Sequence, residues 1–386
     1  MTIKTHKILI ICDKGFEKEC GFEIQTLFGE KKIDIHTQYC ICELNSEELL
    51  TFVYQTQTAL KVFIILSSYE FSESLQSDFL SHIGKIEWTN WIDSSHSFKV
   101  TAKIPQPYDS QEFAGFCGGR ILEQVSDGVV DVQNPSTHVR IQYLQNKLFI
   151  CIDCHPKNLE KREYKIYTQP TTIRSSIAAN MVLYARPQKN DKILDPFCGC
   201  GTIPIEAGFF CAQKSPRFYE KDLPILRIKE FSAYTEKFFA DIDTQSKNHE
   251  MTQQIIGADI LGKSVDATKK NAKIAGILSH LSIIRSDVDW IDTKFEPKSI
   301  SKVITVPPFY AEHNQKKLTK TYTQFFKRSH DFLTDDGKIY LLTNNPEFLS
   351  PIAQNFYLKC HTHECFMGQT KLYVLTCYTK KEEKNT

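Results

Sequence analysis

The residues best placed to do chemistry lie in the stretch LDPFCGCGTIPIEA, Leu194 to Ala207. The apolar run in front of it reads as the end of a buried strand, and Asp195 sits where that strand runs out. Gly199 and Gly201 allow a tight turn and a close backbone approach to a ligand. Thr202 and the apolar run that follows read as the start of a helix, with Pro204 tolerated in its first turn. Strand, glycine turn and helix make the geometry that binds nucleotide-like ligands at the carboxyl end of a parallel sheet. The pattern is not G-x-G-x-x-G, because Ile203 and Pro204 follow Gly201, and the loop carries no G-K-[ST] for a triphosphate. A second candidate is QQIIGADI, Gln253 to Ile260, a buried strand ending in Asp259. A carboxylate at such a strand tip can accept both hydroxyls of a ribose. LSIIRSDVDW gives a third strand that ends at Asp287.

With Asp195-Pro196-Phe197 in front, DPFCGCGTIPIEA resembles the S-adenosylmethionine loop of class I methyltransferases that act on RNA and DNA amines. The resemblance implies a cofactor site. Pro196, Phe197, Gly199, Gly201 and Thr202 form the loop under the methionine part, and Asp195 helps hold the amino group. Asp259 and Ile260 meet the ribose, and the Asp287 side chain and Val288 backbone meet the adenine. In that family the fourth strand ends in Asn or Asp, then Pro-Pro, then an aromatic. The polar side chain and a proline-loop carbonyl accept hydrogen bonds from the target amine, and the aromatic stacks on the flipped base. Here the strand reads SKVITVPPFY. Pro307, Pro308 and Phe309 are present, but Val306 stands at the polar position and Tyr310 replaces a small residue. Valine neither orients an amine nor stabilises charge growing on it. The expectation is a slow enzyme, or one that takes its acceptor from Thr305 or from a small partner protein.

The whole chain has to position these groups. Its 386 residues suffice for two or three domains, and its formal net charge of +1 requires any nucleic acid to be met by local patches. Apolar runs such as VFIIL, from Val62, are too short to span a bilayer. The opening MTIKTHKILIICDKG carries only a strand-length apolar run, so no signal peptide is expected and the chain is placed in the cytoplasm. Thirteen scattered cysteines suit a reducing compartment. Cys151-x-x-Cys154-His155 has no second paired cluster nearby, so no metal is expected.

Along the amino-terminal half, KILIICDK reads as a strand and GFEKECGFEIQTLFG as a helix ending at Gly29. IDIHTQYCICEL reads as one strand, the stretch from Ser46 as a helix, and KVFIILSSYEF as a strand. This alternation suggests a ferredoxin-like unit over residues 1–65. From about Trp88 come a strand at SFKVTAKIP, a helix from Asp109 with Gly118 and Gly119 on a closely packed face, and VDVQNPSTHVRIQYLQNKLFICID as two strands. This order resembles a THUMP domain, an RNA-binding module, over residues 66–155. The resemblance implies that Lys99, Lys103, Arg120 and Arg140 are phosphate contacts. Residues 156–172 read as a linker, whose Lys157, Lys161, Arg162 and Lys165 could also touch RNA. Residues 1 to about 165 are expected to form a separable RNA-binding unit. Residues 173–386 read as a Rossmann-like class I methyltransferase with a mostly parallel sheet, interrupted by an insertion-like stretch, roughly 213–250. The chain as a whole is similar to THUMP-containing transfer-RNA guanine-N2 methyltransferases and the related ribosomal-RNA enzymes. The implied partner is tRNA or another structured RNA, and no metal is needed. Two other readings stand beside this one: an RNA-binding protein that keeps the fold without competent chemistry, and a DNA-amine methyltransferase.

Overall fold

The computed structural model describes residues 4–70, 75–125, 127–247, 249–357 and 359–379. The sequence of Lys380–Thr386 reads as a frayed tail, and it lies outside the described residues. β1 (Thr5–Cys12), α1 (Glu17–Phe28), β2 (Ile33–His36), β3 (Tyr39–Asn45), α2 (Ser46–Gln55) and β4 (Ala59–Glu70) give the βαββαβ order of a ferredoxin-like unit, with strands in the order β2-β3-β1-β4, all antiparallel. IDIHTQYCICEL is therefore two strands rather than one. The chain turns at Thr37-Gln38, with Gln38 at φ 72°, and neither residue is the Asn or Gly that announces a tight hairpin. α1 stops at Gly29 as expected, at φ 73°. α2 is closed by a capping box one residue earlier than Ser46: the Asn45 side chain accepts from the Glu48 amide at 2.9 Å, and Glu48 accepts from the Asn45 amide at 2.9 Å.

α3 (Leu75–Gly84), β5 (Ser97–Lys103), α4 (Ser110–Gln124), β6 (Val129–Val130), β7 (Thr137–Leu144) and β8 (Lys147–Asp153) follow. β8 pairs with β4, so one eight-stranded sheet, β2-β3-β1-β4-β8-β7-β5-β6, runs through the whole amino-terminal half. The boundary expected at residue 65 falls inside β4. α4 begins where Asp109 accepts from the Gln111 amide at 2.8 Å. Phe113, Cys117 and Ile121 are its buried side. Gly118 and Gly119 do not pack closely; a Cβ on either would meet nothing within 4 Å.

The second half contains α5 (Ser175–Ala185), β9 (Lys192–Asp195), α6 (Thr202–Cys211), α7 (Glu236–Lys247), β10 (Gln254–Asp259), α8 (Gly262–Ile274), β11 (Leu281–Arg285), β12 (Ile300–Thr305), α9 (Gln315–Phe332), β13 (Leu333–Thr343), α10 (Pro346–Gln354), β14 (Lys359–Met367) and β15 (Thr370–Tyr378). Its seven-stranded sheet has the order β11-β10-β9-β12-β13-β15-β14. β9 to β13 are parallel, and β15 and β14 run antiparallel at one edge. Strand order reverses between β9 and β12, and such a reversal opens a crevice at the carboxyl ends. Gly337 reads from the sequence as a turn, but it lies inside β13, where pairing with β12 is irregular in register.

The insertion-like stretch crosses back to the first half. Its Leu223, Ile225, Ile228, Phe231 and Phe239 are buried in the same core as Ile10, Leu49 and Trp88. Arg217 donates to the carbonyls of Val53 at 2.8 Å and Thr56 at 2.6 Å, at the end of α2. Residues 1–165 alone would lack those five apolar side chains, each worth about 1.5–3 kcal/mol of burial. A cut at 165 would therefore leave part of that core uncovered.

A second tie runs through the connection. Arg162 is buried, with its Nε 3.0 Å and one terminal nitrogen 3.1 Å from the two carboxylate oxygens of Glu206 in α6. The same guanidinium donates to the Gln57 carbonyl at 2.7 Å, and the Gln57 amide returns a bond to Glu206 at 2.9 Å. Tyr164 adds a third donor to Glu206 at 2.9 Å. Arg162 is therefore a structural cation and not an RNA contact.

Candidate active site

The glycine loop is held by hydrogen bonds that its sequence does not reveal. Gly199 sits at φ 55° and Gly201 at φ 85°, both left-handed. A Cβ on Gly201 would lie 2.5 Å from Thr268 Cγ2 of α8, so glycine is required there by packing. At Gly199 the nearest neighbour of a Cβ is a side-chain oxygen at 4.0 Å, so that glycine leaves open room beside the crevice. Cys198 donates to the Ala258 carbonyl at 2.9 Å, and Thr268 donates to the Gly199 carbonyl at 2.9 Å. The Asn271 side chain joins the loop to the connection, donating to the carbonyls of Tyr167 at 2.9 Å and Cys200 at 3.0 Å.

Three acids stand at or just past three successive strand ends. Asp259, closing β10, accepts from the Gly199 amide at 3.1 Å and the Leu261 amide at 2.8 Å, one bond per oxygen. Each oxygen keeps a lone pair for a further donor. Asp287, two residues beyond β11, accepts from the Asp289 amide at 3.1 Å and caps the short 3₁₀ turn 288–294. Asp195, closing β9, is buried and accepts from Thr305 Oγ1 at 2.5 Å and from the Phe197 amide at 3.2 Å. Burial pushes its carboxyl up to about 7, against those two hydrogen bonds and with a further push from the Asp259 charge. Thr305 is thereby committed: it is fully buried and donates to Asp195, so it is not the stand-in amine acceptor expected from the sequence.

One cavity of about 670 Å³ joins these groups to the fourth-strand loop. Asp195, Pro196, Phe197, Gly199, Thr202, Asp259, Ile260, Asp287 and Val288 line it, as do Val306, Pro307, Pro308 and Phe309. Gly201 does not line it and serves the packing on Thr268 instead. The loop after Val306 is braced from outside. Tyr322 of α9 donates to the Pro308 carbonyl, and Asn344 bonds both the amide and the carbonyl of Tyr310, at 3.0 and 3.1 Å. Val306 itself is half-buried among apolar neighbours.

Gln169, Thr171, Thr172 and Ile173 form one wall; the resemblance implies that the stretch from Thr171 helps close the cofactor pocket, whereas Gln169 reads from the sequence as linker. Gln169 donates to Ser264 at 2.9 Å, which fixes that wall on α8. Nothing in TQP marks Gln169 as part of a cavity wall, since only the path of the chain from Tyr167 brings it there. Lys317, Lys320 and Thr321 of α9 also line the cavity.

The basic candidates divide. β5–β7 register sets Lys99 beside His138, Thr101 beside Arg140 and Lys103 beside Gln142, on the sheet face opposite α4. Arg140 donates to Thr101 at 3.1 Å and to Gln142 at 3.3 Å. Arg120, on α4, lies on the other face and pairs with Glu123. Lys157 and Lys161 are exposed, whereas Lys165 is half-buried and donates to the Ile173 carbonyl. Cys151, Cys154 and His155 do not converge. Among the described residues the cluster with ligand-like spacing is Cys12, Cys20 and Cys40, three buried thiols in the first core with sulfurs within 4.8 Å of one another.

Residues 162–373 match the family described as RMKL-like, methyltransferase domain, and residues 78–153 match the THUMP domain. The chain is 25% identical over 378 residues to a tRNA (guanine(6)-N2)-methyltransferase of Methanocaldococcus jannaschii, covering 94% of this chain and 97% of that protein. A "possible methylase" from Clostridium difficile 630 superposes with a TM-score of 0.81 at 21% identity, over 99% of this chain and 100% of that one. A protein crystallised in complex with SAH superposes at 0.80 and 18% identity, over 98% of this chain and 100% of that one.

Proposed function

From the premise that this chain belongs to the RMKL-like methyltransferase family and carries a THUMP domain ahead of the catalytic half, we propose that it methylates the exocyclic N2 of a guanosine in tRNA, with S-adenosylmethionine as methyl donor, in the cytoplasm. The observation that carries this reading is the single cavity in which three strand-end acids face a Pro-Pro-Phe loop. The M. jannaschii relative supports the substrate, because the match extends along nearly the whole chain.

The donor set fits the cofactor. Asp195 offers a carboxylate to an ammonium, Asp259 two oxygens to a diol, and Asp287 with Val288 the edge contacts of an adenine. The open side of Gly199 leaves room that a Cβ would take. Ile260 and Leu261 present half-exposed apolar side chains to the same cavity. When bound, S-adenosylmethionine supplies an electrophilic methyl group on a sulfonium. The protein's own work is then positioning. Phe309 offers a face to the flipped base, and the brace from Tyr322 and Asn344 sets that face in advance. The braced Pro308 loop and Phe309 would hold the N2 lone pair toward that methyl group, and Val306 would offer nothing to take the surplus N2 proton. At position 306 no polar side chain receives that amine. With Thr305 engaged by Asp195, that residue offers no substitute for the one side-chain acceptor that Val306 lacks. The same observation favours a second reading, in which the protein binds RNA and cofactor but transfers methyl groups slowly or not at all.

The roles of Lys99, Lys103 and Arg140 rest on their shared sheet face, and we assign them to RNA phosphates on that ground. The test of the function is mass spectrometry of nucleosides in tRNA from cells with and without this protein. Loss of N2-methylguanosine from one tRNA pool is expected, and an unchanged nucleoside profile contradicts the enzymatic reading.

A further inference from the structure

The cavity is lined by charges of both signs. Its lining carries the carboxylates of Asp195, Asp259, Asp287 and Asp289 and, from the helix that Tyr322 ties to the Pro308 carbonyl, the cations Lys317 and Lys320. Both lysines come from α9, whose 18 residues include five basic ones and a single acid, Asp331. Leu318, Tyr322, Phe325, Phe326 and Phe332 are its buried side, so the bases occupy the opposite face. Lys316, Lys320 and Lys327 are spaced i, i+4 and i+11, which places them on nearly one line along about 16 Å of helix. Lys317 sits beside that line at the cavity. Arg328 is paired with Asp292 at 3.2 Å, but among the described residues none of the four lysines has an ion-pair partner. Two of the four, Lys316 and Lys317, stand in the first turn, where the helix dipole disfavours cations. They therefore do not serve the helix, and an unpaired row of cations leading out of a cavity that ends in a base-stacking residue fits an anionic strand entering it.

We propose that this row grips the RNA backbone on either side of the target nucleotide, with Lys317 and Lys320 on the phosphates nearest the cavity. The inference rests on the RNA-methyltransferase reading and adds the track by which the strand enters. The contacts are to phosphate, so they position without reading sequence. They supply, in a chain of net charge +1, the local basic surface that RNA binding needs.

The experiment is binding of an unmodified tRNA transcript to the full chain by fluorescence anisotropy, titrated from about 50 to about 200 mM salt. Lys317→Gln/Lys320→Gln is compared with Lys237→Gln/Lys247→Gln, two exposed lysines of α7 remote from the cavity in sequence and element. Loss of two phosphate contacts should lower the slope of log affinity against log salt by about 1.5–2 and weaken binding at least about tenfold. The S-adenosylmethionine affinity of the variant should be unchanged. Equal slopes and affinities for the two double variants overturn the track while leaving the enzymatic reading intact. A wild type that binds no tRNA overturns the RNA reading itself, and the track with it.

Discussion

The two ends of the cavity differ in what defines them. At the cofactor end the defining groups are backbone geometry and strand-end carboxylates: Asp259 bonded by two amides, Asp195 pinned by Thr305, and a glycine loop that fits only without a Cβ at 201. At the target end the loop is equally well braced, by Tyr322 and Asn344, but the side chain at 306 is valine, which offers no polar group. The comparison teaches that scaffold and chemistry can part company. A crevice made by strand order survives substitutions that change one acceptor, so an intact cofactor end says little about rate.

The largest effect expected is on the foundation of the cofactor end. Arg162→Ala would leave the Glu206 carboxylate buried in α6, directly after the glycine loop, without its cation. The cost is about 3–5 kcal/mol of folding stability, read by chemical denaturation. A loss below about 1 kcal/mol would mean that the loop does not depend on this pair.

A smaller effect is expected inside the site. Asp259→Ala should weaken S-adenosylmethionine binding by about 1–3 kcal/mol, because ribose hydroxyls and two loop amides lose their acceptor. Calorimetry on the wild type and variant checks it, and equal affinities would remove Asp259 from the cofactor end.

The smallest effect is a pH dependence. With its carboxyl near 7, Asp195 goes from about one-tenth to about nine-tenths ionised between pH 6 and pH 8. Only the ionised form can hold an ammonium as a salt bridge. Affinity for S-adenosylmethionine should therefore tighten as pH rises through 7, by up to about tenfold, and Asp195→Asn should flatten the profile. A profile that stays steep in the Asn variant would assign the titration to another group.

Much of the cofactor end was readable because its signals are local. Asp195, Gly199 and Asp259 announce themselves within a strand and the turn that follows. The ferredoxin-like and THUMP-like orders were readable for the same reason, through alternation and helix stops such as Gly29. What escaped was non-local. Arg162 looked like a solvated linker charge because its partner Glu206 is 44 residues away. The place of Gln169 in the cavity wall carries no motif and depends on Asn271 drawing the chain against the loop. The stretch around Leu223 and Phe231 looked like an insertion into the second half, yet its apolar side chains complete the core of the first. The β2–β3 hairpin was missed because Gln38 takes a left-handed turn without the residue types that advertise one.

The claim that the target end is intact in shape but short of one acceptor is tested most directly by methyl transfer from labelled S-adenosylmethionine to unmodified tRNA, comparing wild type with Val306→Asn. Restoring one hydrogen bond to an amine on which charge develops is worth about 1–3 kcal/mol, or about ten- to a few hundredfold in rate at about 1.4 kcal/mol per tenfold. The account predicts slow formation of N2-methylguanosine by the wild type and a rise of that order in the Asn variant, with cofactor affinity unchanged. A fully active wild type that Val306→Asn slows would contradict it, showing that Val306 belongs to an active site of a different design.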